Sequence, residues 1–205
     1  EDGEVDPEHT SNMPGLEQLD DADLMVMFSR FLSLPEDQME HIVRYTESSK
    51  PIVGIRTATH PFRYEDGPYA KYSWRSEVDG WEGGYGEHVF GEGWYAHLGE
   101  KSQSTRGLLS GLNEDHPILR GVSAMWGPSD VYHMDDIRGD ETALVFGQQQ
   151  NGTTRASAEP DLTLPIVPIA WTRNYTSKAT GNTSRVFYTS WGLGEDFQDE
   201  SVRRL

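Results

Sequence analysis

From Asp20 to Phe62 the apolar positions change period twice, and each change marks an element. Leu24 to Phe28 is a short unbroken apolar run that fits a core strand ending at Ser29 and Arg30. Ser33, ahead of Leu34-Pro35-Glu36, has the spacing of a capping box, with the serine hydroxyl on a backbone N–H and Glu36 reaching back. Met39, Ile42 and Val43 then mark the buried stripe of a helix that runs to about Glu47. Pro51 to Ile55 is again apolar and rich in β-branched residues, the pattern of a buried parallel strand. Strand, helix and strand form a βαβ unit with a right-handed crossover. Ligands of open α/β sheets bind outside the carboxyl ends of the strands. Arg56, Thr57, Thr59 and His60, with Arg30 at the end of the preceding strand, are therefore the first candidates for chemistry.

The flanking pattern is less regular. Residues 1–18 are acidic and polar, a lead-in to one domain spanning 1–205. Residues 63–104 crowd glycines among Tyr72, Trp74, Trp81, Tyr85, Phe90, Trp94 and Tyr95, with His88 and His97 between them. Glycines let backbone approach a ligand closely, and flat rings suit sugar faces or a lid, so this long insertion reads as a binding surface built on Trp81, Trp94 and His97. The alternative is an irregular aromatic minicore. Residues 113–121 read as a short helical turn. Ser129 to Met134 and Thr142 to Phe146 read as strands, with Asp135-Asp136 and Gly139-Asp140 as turns. Leu164 to Trp171 and Arg185 to Ser190 form the last strand pair, with Asn174 to Ser184 as an excursion between them. Trp191-Gly192-Leu193-Gly194 is a turn opening onto Asp196, and Glu200 to Leu205 begins a helix. If both strands are parallel, His60 and Asp196 share one sheet edge as acid–base candidates.

Composition removes several classes of function. Acidic residues outnumber basic ones 34 to 17, a formal charge of −17, which argues against nucleic acid and anionic membrane surfaces as partners. There is no cysteine, so disulfides, thiolate metal sites and a cysteine nucleophile are excluded. No serine stands in a Gly-x-Ser-x-Gly elbow, and neither a Walker loop nor a dinucleotide fingerprint is present. The expectation is no cofactor, with a divalent metal on His60 and His97 as a weaker candidate that imidazole and carboxylate chemistry allows. No apolar run reaches transmembrane length and no signal-peptide pattern opens the chain, which starts at Glu1 without methionine. The compartment stays open between periplasmic or secreted and cytoplasmic.

Several motifs in order carry a family resemblance over nearly the whole chain. They are residues 34–42, then Lys50-Pro51-Ile52-Val53-Gly54-Ile55-Arg56-Thr57-Ala58-Thr59-His60-Pro61-Phe62, His116-Pro117-Ile118-Leu119-Arg120-Gly121, Trp126-Gly127-Pro128-Ser129-Asp130-Val131-Tyr132, and the segments 170–173, 185–190 and 195–197. Together they resemble the ThuA-like (trehalose utilisation) family of the class I glutamine amidotransferase-like superfamily. The resemblance implies a flavodoxin-like α/β fold, a three-layer sandwich on a mostly parallel central sheet, here truncated at both ends. It also implies a domain of bacterial carbohydrate metabolism that binds, and in one reading transforms, a sugar or keto-sugar. Alternatives are a non-catalytic sugar-binding or protein-interaction module and a metal-dependent hydrolase; the partner expected is a small-molecule carbohydrate, with assembly as a homo-oligomer a further candidate. Where the superfamily carries its nucleophile elbow this chain reads Gly54-Ile55-Arg56-Thr57-Ala58, so glutamine hydrolysis by that route is excluded. Family members often carry histidine where this chain has Leu193. That shifts the expected catalytic roles to His60 and Asp196, with Arg56 anchoring polar groups by its planar fork and Thr57, Thr59, Trp81, Trp94, His97 and Arg30 binding substrate.

Overall fold

A computed structural model describes residues 8–99, 103–133, 140–156 and 158–205. The βαβ unit forms as the pattern predicts. Strand β1 (Met25–Met27) leads through helix α1 (Glu36–Thr46) to β2 (Ile52–Ile55), and the two strands pair in parallel. Met39, Ile42 and Tyr45 are the buried face of α1 and pack on Met25, Met27 and Ile52 in the larger of two hydrophobic clusters. The capping box does not form. Pro35 in extended conformation is the residue before the helix, no side chain caps it, and the Ser33 N–H bonds to the Thr10 carbonyl instead. The first turn keeps Glu36 and Asp37, whose charges favour the positive end of the helix dipole.

Later strands are β3 (His97–Leu98), β4 (Ser104–Leu109), β5 (Met125–Gly127), β6 (Val131–Tyr132), β7 (Glu141–Asn151), β8 (Glu159–Pro160), β9 (Val167–Thr176) and β10 (Thr183–Thr189). Among the described residues the main sheet runs β1-β2-β10-β9-β7-β4-β5, with β8 on β7, and β3 pairs β6 in a separate ribbon. Only β1-β2 and β2-β10 are parallel; every other pairing in the main sheet is antiparallel. The expected mostly parallel sheet is thereby corrected to a mixed, mostly antiparallel one. The cause lies in the connections. β9 and β10 run longer than their apolar runs, leaving only Ser177 to Asn182 between them, with Gly181 left-handed at φ 75°. A link that short closes a hairpin, whereas a parallel crossover needs a dozen or more residues.

The sheet is not a full three-layer sandwich either. Helix α1 and the aromatic insertion cover one face of β1-β2-β10. On the other face Leu24, Val26 and Phe28 remain about half exposed, and Val26 aligns across the sheet with Val53 and Phe187. The short helix α2 (Glu200–Arg204) packs through Val202 on the second cluster, with Trp191, Met125, Leu144 and Ile169. Residues 63–99 are not plain loop. They carry a 3₁₀ turn at Ala70–Tyr72, a π-helical turn at Gly86–Phe90 and strand β3. Of the strand expected over Ser129 to Met134, β6 forms among the described residues, and Met134 with the turn expected at Asp135, Asp136 and Gly139 lies outside them.

Candidate functional site

β2 and β10 run parallel with Ile55 opposite Thr189, so both strands end at one edge, and β1 ends beside them. The chain turns sharply there. Arg56 to Thr59 form a 3₁₀ turn whose first residue, Arg56, is left-handed at φ 42°. Two hydroxyls hold that backbone: Tyr188 donates to the Arg56 carbonyl at 2.8 Å and Thr59 at 3.3 Å. Glycine is required where other segments press on this turn. A Cβ on Gly192 would meet the Arg56 Cβ at 2.7 Å, and one on Gly86 would stand 2.0 Å from the Thr59 carbonyl oxygen.

Arg56 points inward. Its guanidinium donates to the Asp130 carboxylate at 2.7 Å, to the Asp130 carbonyl at 2.9 Å and to the Ser190 carbonyl at 3.1 Å, and lies 4.7 Å from the centre of the Tyr132 ring. Both members of the pair are buried, so the hydrogen bonds offset a desolvation cost that either charge alone could not meet. The other oxygen of Asp130 pairs with Nδ1 of His97, which its own strand register sets opposite Tyr132. One carboxylate thus clamps the strand-end arginine to the β3-β6 ribbon. Asp130 carries this junction, and sequence reasoning passed over it; its place in the Trp126 to Tyr132 motif, one residue after Ser129, was the available signal.

Asp196 reaches the same edge but serves the turns. Fully buried, it accepts from the Gly192 and Leu193 N–H groups at 3.0 and 2.9 Å and from the Ser129 N–H and hydroxyl at 3.2 and 2.8 Å. Those four bonds fix Ser129, and with it the adjacent Asp130. No direct bond joins Asp196 to His60 or Arg56 among the described residues.

His60 sits in a nest of rings. Trp94 lies 4.8 Å from it between ring centres, Phe31 at 5.0 Å and Tyr132 at 5.7 Å, and Trp74 packs on both Trp94 and Phe31. Burial, then the charges of Arg30, His97 and Arg56, push the His60 pKa down to about 3, so the ring is neutral at ordinary pH. Thr59 is buried against His60 Nδ1, Thr57 is half-buried, and its carbonyl accepts the His60 N–H. The indole N–H of Trp74 donates to the Trp94 carbonyl, whereas that of Trp94 is buried without a partner among the described residues. Phe31 and Arg75 are left-handed, at φ 51° and 57°. With Arg56 they are the described non-glycine residues with positive φ, and all three border this nest; such conformations cost about 1–3 kcal/mol each and concentrate at functional sites. Beside Phe31 opens a cleft of about 480 Å³ lined also by Thr10, Ser33, Arg63, Tyr64, Glu65 and Asp66.

The structure therefore brings His60, Arg56, Thr57, Thr59, Trp94 and His97 together, with Arg30 exposed next to Phe31. Trp81 stands apart, against Tyr72 and His88. Among the described residues no group of three or more histidines and carboxylates is arranged to hold a metal ion, and the Nδ1 of His97 is already engaged by Asp130.

A crystal structure from Bacteroides uniformis, of a protein named only for its likeness to ThuA, superposes with a TM-score of 0.55 at 13% identity, covering 97% of this chain and 71% of its own. The fold is similar to that of a ThuA-like protein. A similarly named structure from Parabacteroides merdae has a TM-score of 0.48 at 14% identity, covering 85% of this chain and 61% of its own. No protein-family model matches the chain, and no curated protein matches it in sequence.

Proposed function

We propose that this chain is a ThuA-like domain of carbohydrate metabolism that binds a sugar in the nest around His60. The observation that carries the reading is the gathering of Phe31, Trp74 and Trp94 at the strand edge where left-handed Phe31, Arg56 and Arg75 also meet. Flat rings supply the apolar platform a sugar face needs, and the adjoining cleft offers hydroxyl, carboxylate and guanidinium groups to its hydroxyls. Arg56, held by Asp130 and Ser190, acts by keeping the site's shape; neutral His60 packs and accepts. Thermal shift of the full chain against a panel of neutral, keto and acidic sugars tests the reading, on wild type, Trp94→Ala and Trp81→Ala. A sugar at a hundredfold over its Kd adds about 2.7 kcal/mol. The shift is expected to persist in Trp81→Ala and to be lost in Trp94→Ala. A folded wild-type protein that no sugar stabilises would sink the proposal.

A second reading, transformation of the bound sugar, rests on His97. Asp130 fixes its Nδ1, and Nε2 has no partner among the described residues, the arrangement by which a carboxylate orients an imidazole for proton transfer. It predicts that turnover of the stabilising sugar disappears in His97→Gln while binding survives; His97→Gln with unchanged turnover removes it.

A further inference from the structure

The chain is strongly acidic, yet cations border the nest. Arg44, Arg56, Arg155, Arg173 and Arg204 each meet a carboxylate. Arg30, Arg63, Arg75, Arg106, Arg120, Arg185 and Arg203 are exposed, and none of them meets one among the described residues; the first three gather at one place. All three belong to this site. Arg30 precedes Phe31, and its charge acts on both His60 and Tyr132. Arg63 lines the cleft with Phe31. Arg75 lies over the face of Trp74 at 4.4 Å, and its side chain makes one hydrogen bond among the described residues, a long one of 3.4 Å to the Tyr95 carbonyl. Glu65 and Asp66 line the same cleft without coming within ion-pairing distance of Arg63. A buried indole N–H at Trp94 adds a donor that has no partner among the described residues.

We infer that the ligand is an anionic sugar, with a carboxylate, phosphate or sulfate on a ring that stacks in the nest; the inference rests on the sugar-binding reading above. Guanidinium groups pair with planar or tetrahedral oxyanions through two parallel N–H bonds, which ammonium groups cannot do. The left-handed backbone at Phe31 and Arg75 fixes the residues that flank Arg30 and Trp74, so two of the three cations sit on strained, well-determined turns. In a chain of net charge −17 an anion is repelled from most of the surface, so local unpaired cations decide where it can settle.

Calorimetric titration of the full chain separates the outcomes. Probes are glucose, glucuronate, glucose 6-phosphate, glucose 6-sulfate and inorganic phosphate, at low salt and at about 0.5 M salt. At least one acidic sugar should bind about tenfold tighter than glucose at low salt, with the advantage shrinking at high salt as exposed charges are screened. Comparing the three acids identifies the anion. In Arg30→Gln/Arg75→Gln the ratio of acid-sugar to glucose affinity should fall several-fold; an unchanged ratio overturns the inference. Glucose binding as tightly as every acid overturns the inference and leaves the sugar reading standing. Failure of every sugar overturns both. Inorganic phosphate binding as tightly as the best sugar acid overturns it as well, because ring stacking would then contribute nothing.

Discussion

Trp94 and Trp81 come from the same glycine-rich segment and both pack on the larger core cluster, yet their surroundings differ in kind. Trp94 faces His60 and the strand-end turn, with its indole N–H unpartnered. The Trp81 ring has the ammonium groups of Lys71 and Lys178 each 5.4 Å from its centre, and Lys178 also bonds the Gly80 carbonyl. One indole lies against cations of its own chain; the other lies among rings, Phe31, His60, Trp74, His97 and Tyr132. Aromatic content alone therefore does not make a binding surface. What separates the two is the scaffold beneath them: Trp94 rests on the Arg56–Asp130–His97 junction, Trp81 on the tyrosine stack of Tyr72, Tyr69 and Tyr64.

Cutting that junction is the strongest way to break the comparison. Asp130→Ala leaves the Arg56 guanidinium buried without its counter-charge, which costs about 3–5 kcal/mol. Urea unfolding should read that loss, and hydrogen exchange should show residues 97–98 and 131–132 opening while 64–85 keep their protection. Asp130→Asn retains the volume and some hydrogen bonds and should cost less. A cost under about 1 kcal/mol for Asp130→Ala would mean that the ribbon is held by other contacts.

The two clusters also titrate in opposite senses. His60 on the Trp94 side has its folded pKa depressed to about 3 from 6.5, by burial first. Between those values the unfolded chain binds a proton that the folded one does not. The stabilising contribution is full above pH 6.5 and is lost as pH falls toward 3, by up to about 4 kcal/mol. Comparing urea midpoints of wild type and His60→Gln from pH 4 to 7 isolates this contribution from that of other carboxylates. Parallel curves for the two proteins would show that His60 is not held in an apolar nest.

How far the sequence carried this picture depends on how local the signals are. The β1-α1-β2 unit was readable because its strand runs and its Met39-Ile42 stripe are set by neighbours in the chain. Arg56, His60 and Trp94 followed from strand ends and ring content. Sheet direction was not readable, since β9 and β10 extend through polar residues such as Arg173, Asn174 and Ser184, which conceal how short their link is. Strand β4 was missed for a similar reason: Thr105, Arg106 and Gly107 look like a polar bridge, while Gly107 leaves room for Trp191, whose ring a Cβ would meet at 2.4 Å. The roles of Asp130 and Asp196 depend on contacts between distant segments, which single-residue patterns do not encode. The Ser33 box failed because Pro35 is extended and stands just before the helix, so Glu36 opens the first turn instead of lying three residues past the cap.

The Trp81 side supplies the last and smallest test. Arg173 donates to the His88 carbonyl behind Trp81, pairs with Asp140 at 2.6 Å, and stands 3.9 Å from Glu141. Among the described residues neither carboxylate oxygen of Glu141 has a hydrogen-bond partner, and burial, then the charge of Asp140, pushes its pKa up to about 7. Here the folded chain binds the extra proton between pH 4.5 and 7. Stability is highest below 4.5 and falls as pH rises through 7, the reverse of His60. Solvent screening beside Asp140 limits the effect to about 1 kcal/mol. Glu141→Gln should remove this slope and raise stability at pH 8 while leaving sugar binding at Trp94 unchanged. Because the two slopes oppose each other between pH 4.5 and 6.5, His60→Gln and Glu141→Gln should each tilt away from the wild-type curve there, in opposite directions. Single variants that both keep the wild-type curve would show that neither buried group sets the acid response of its cluster.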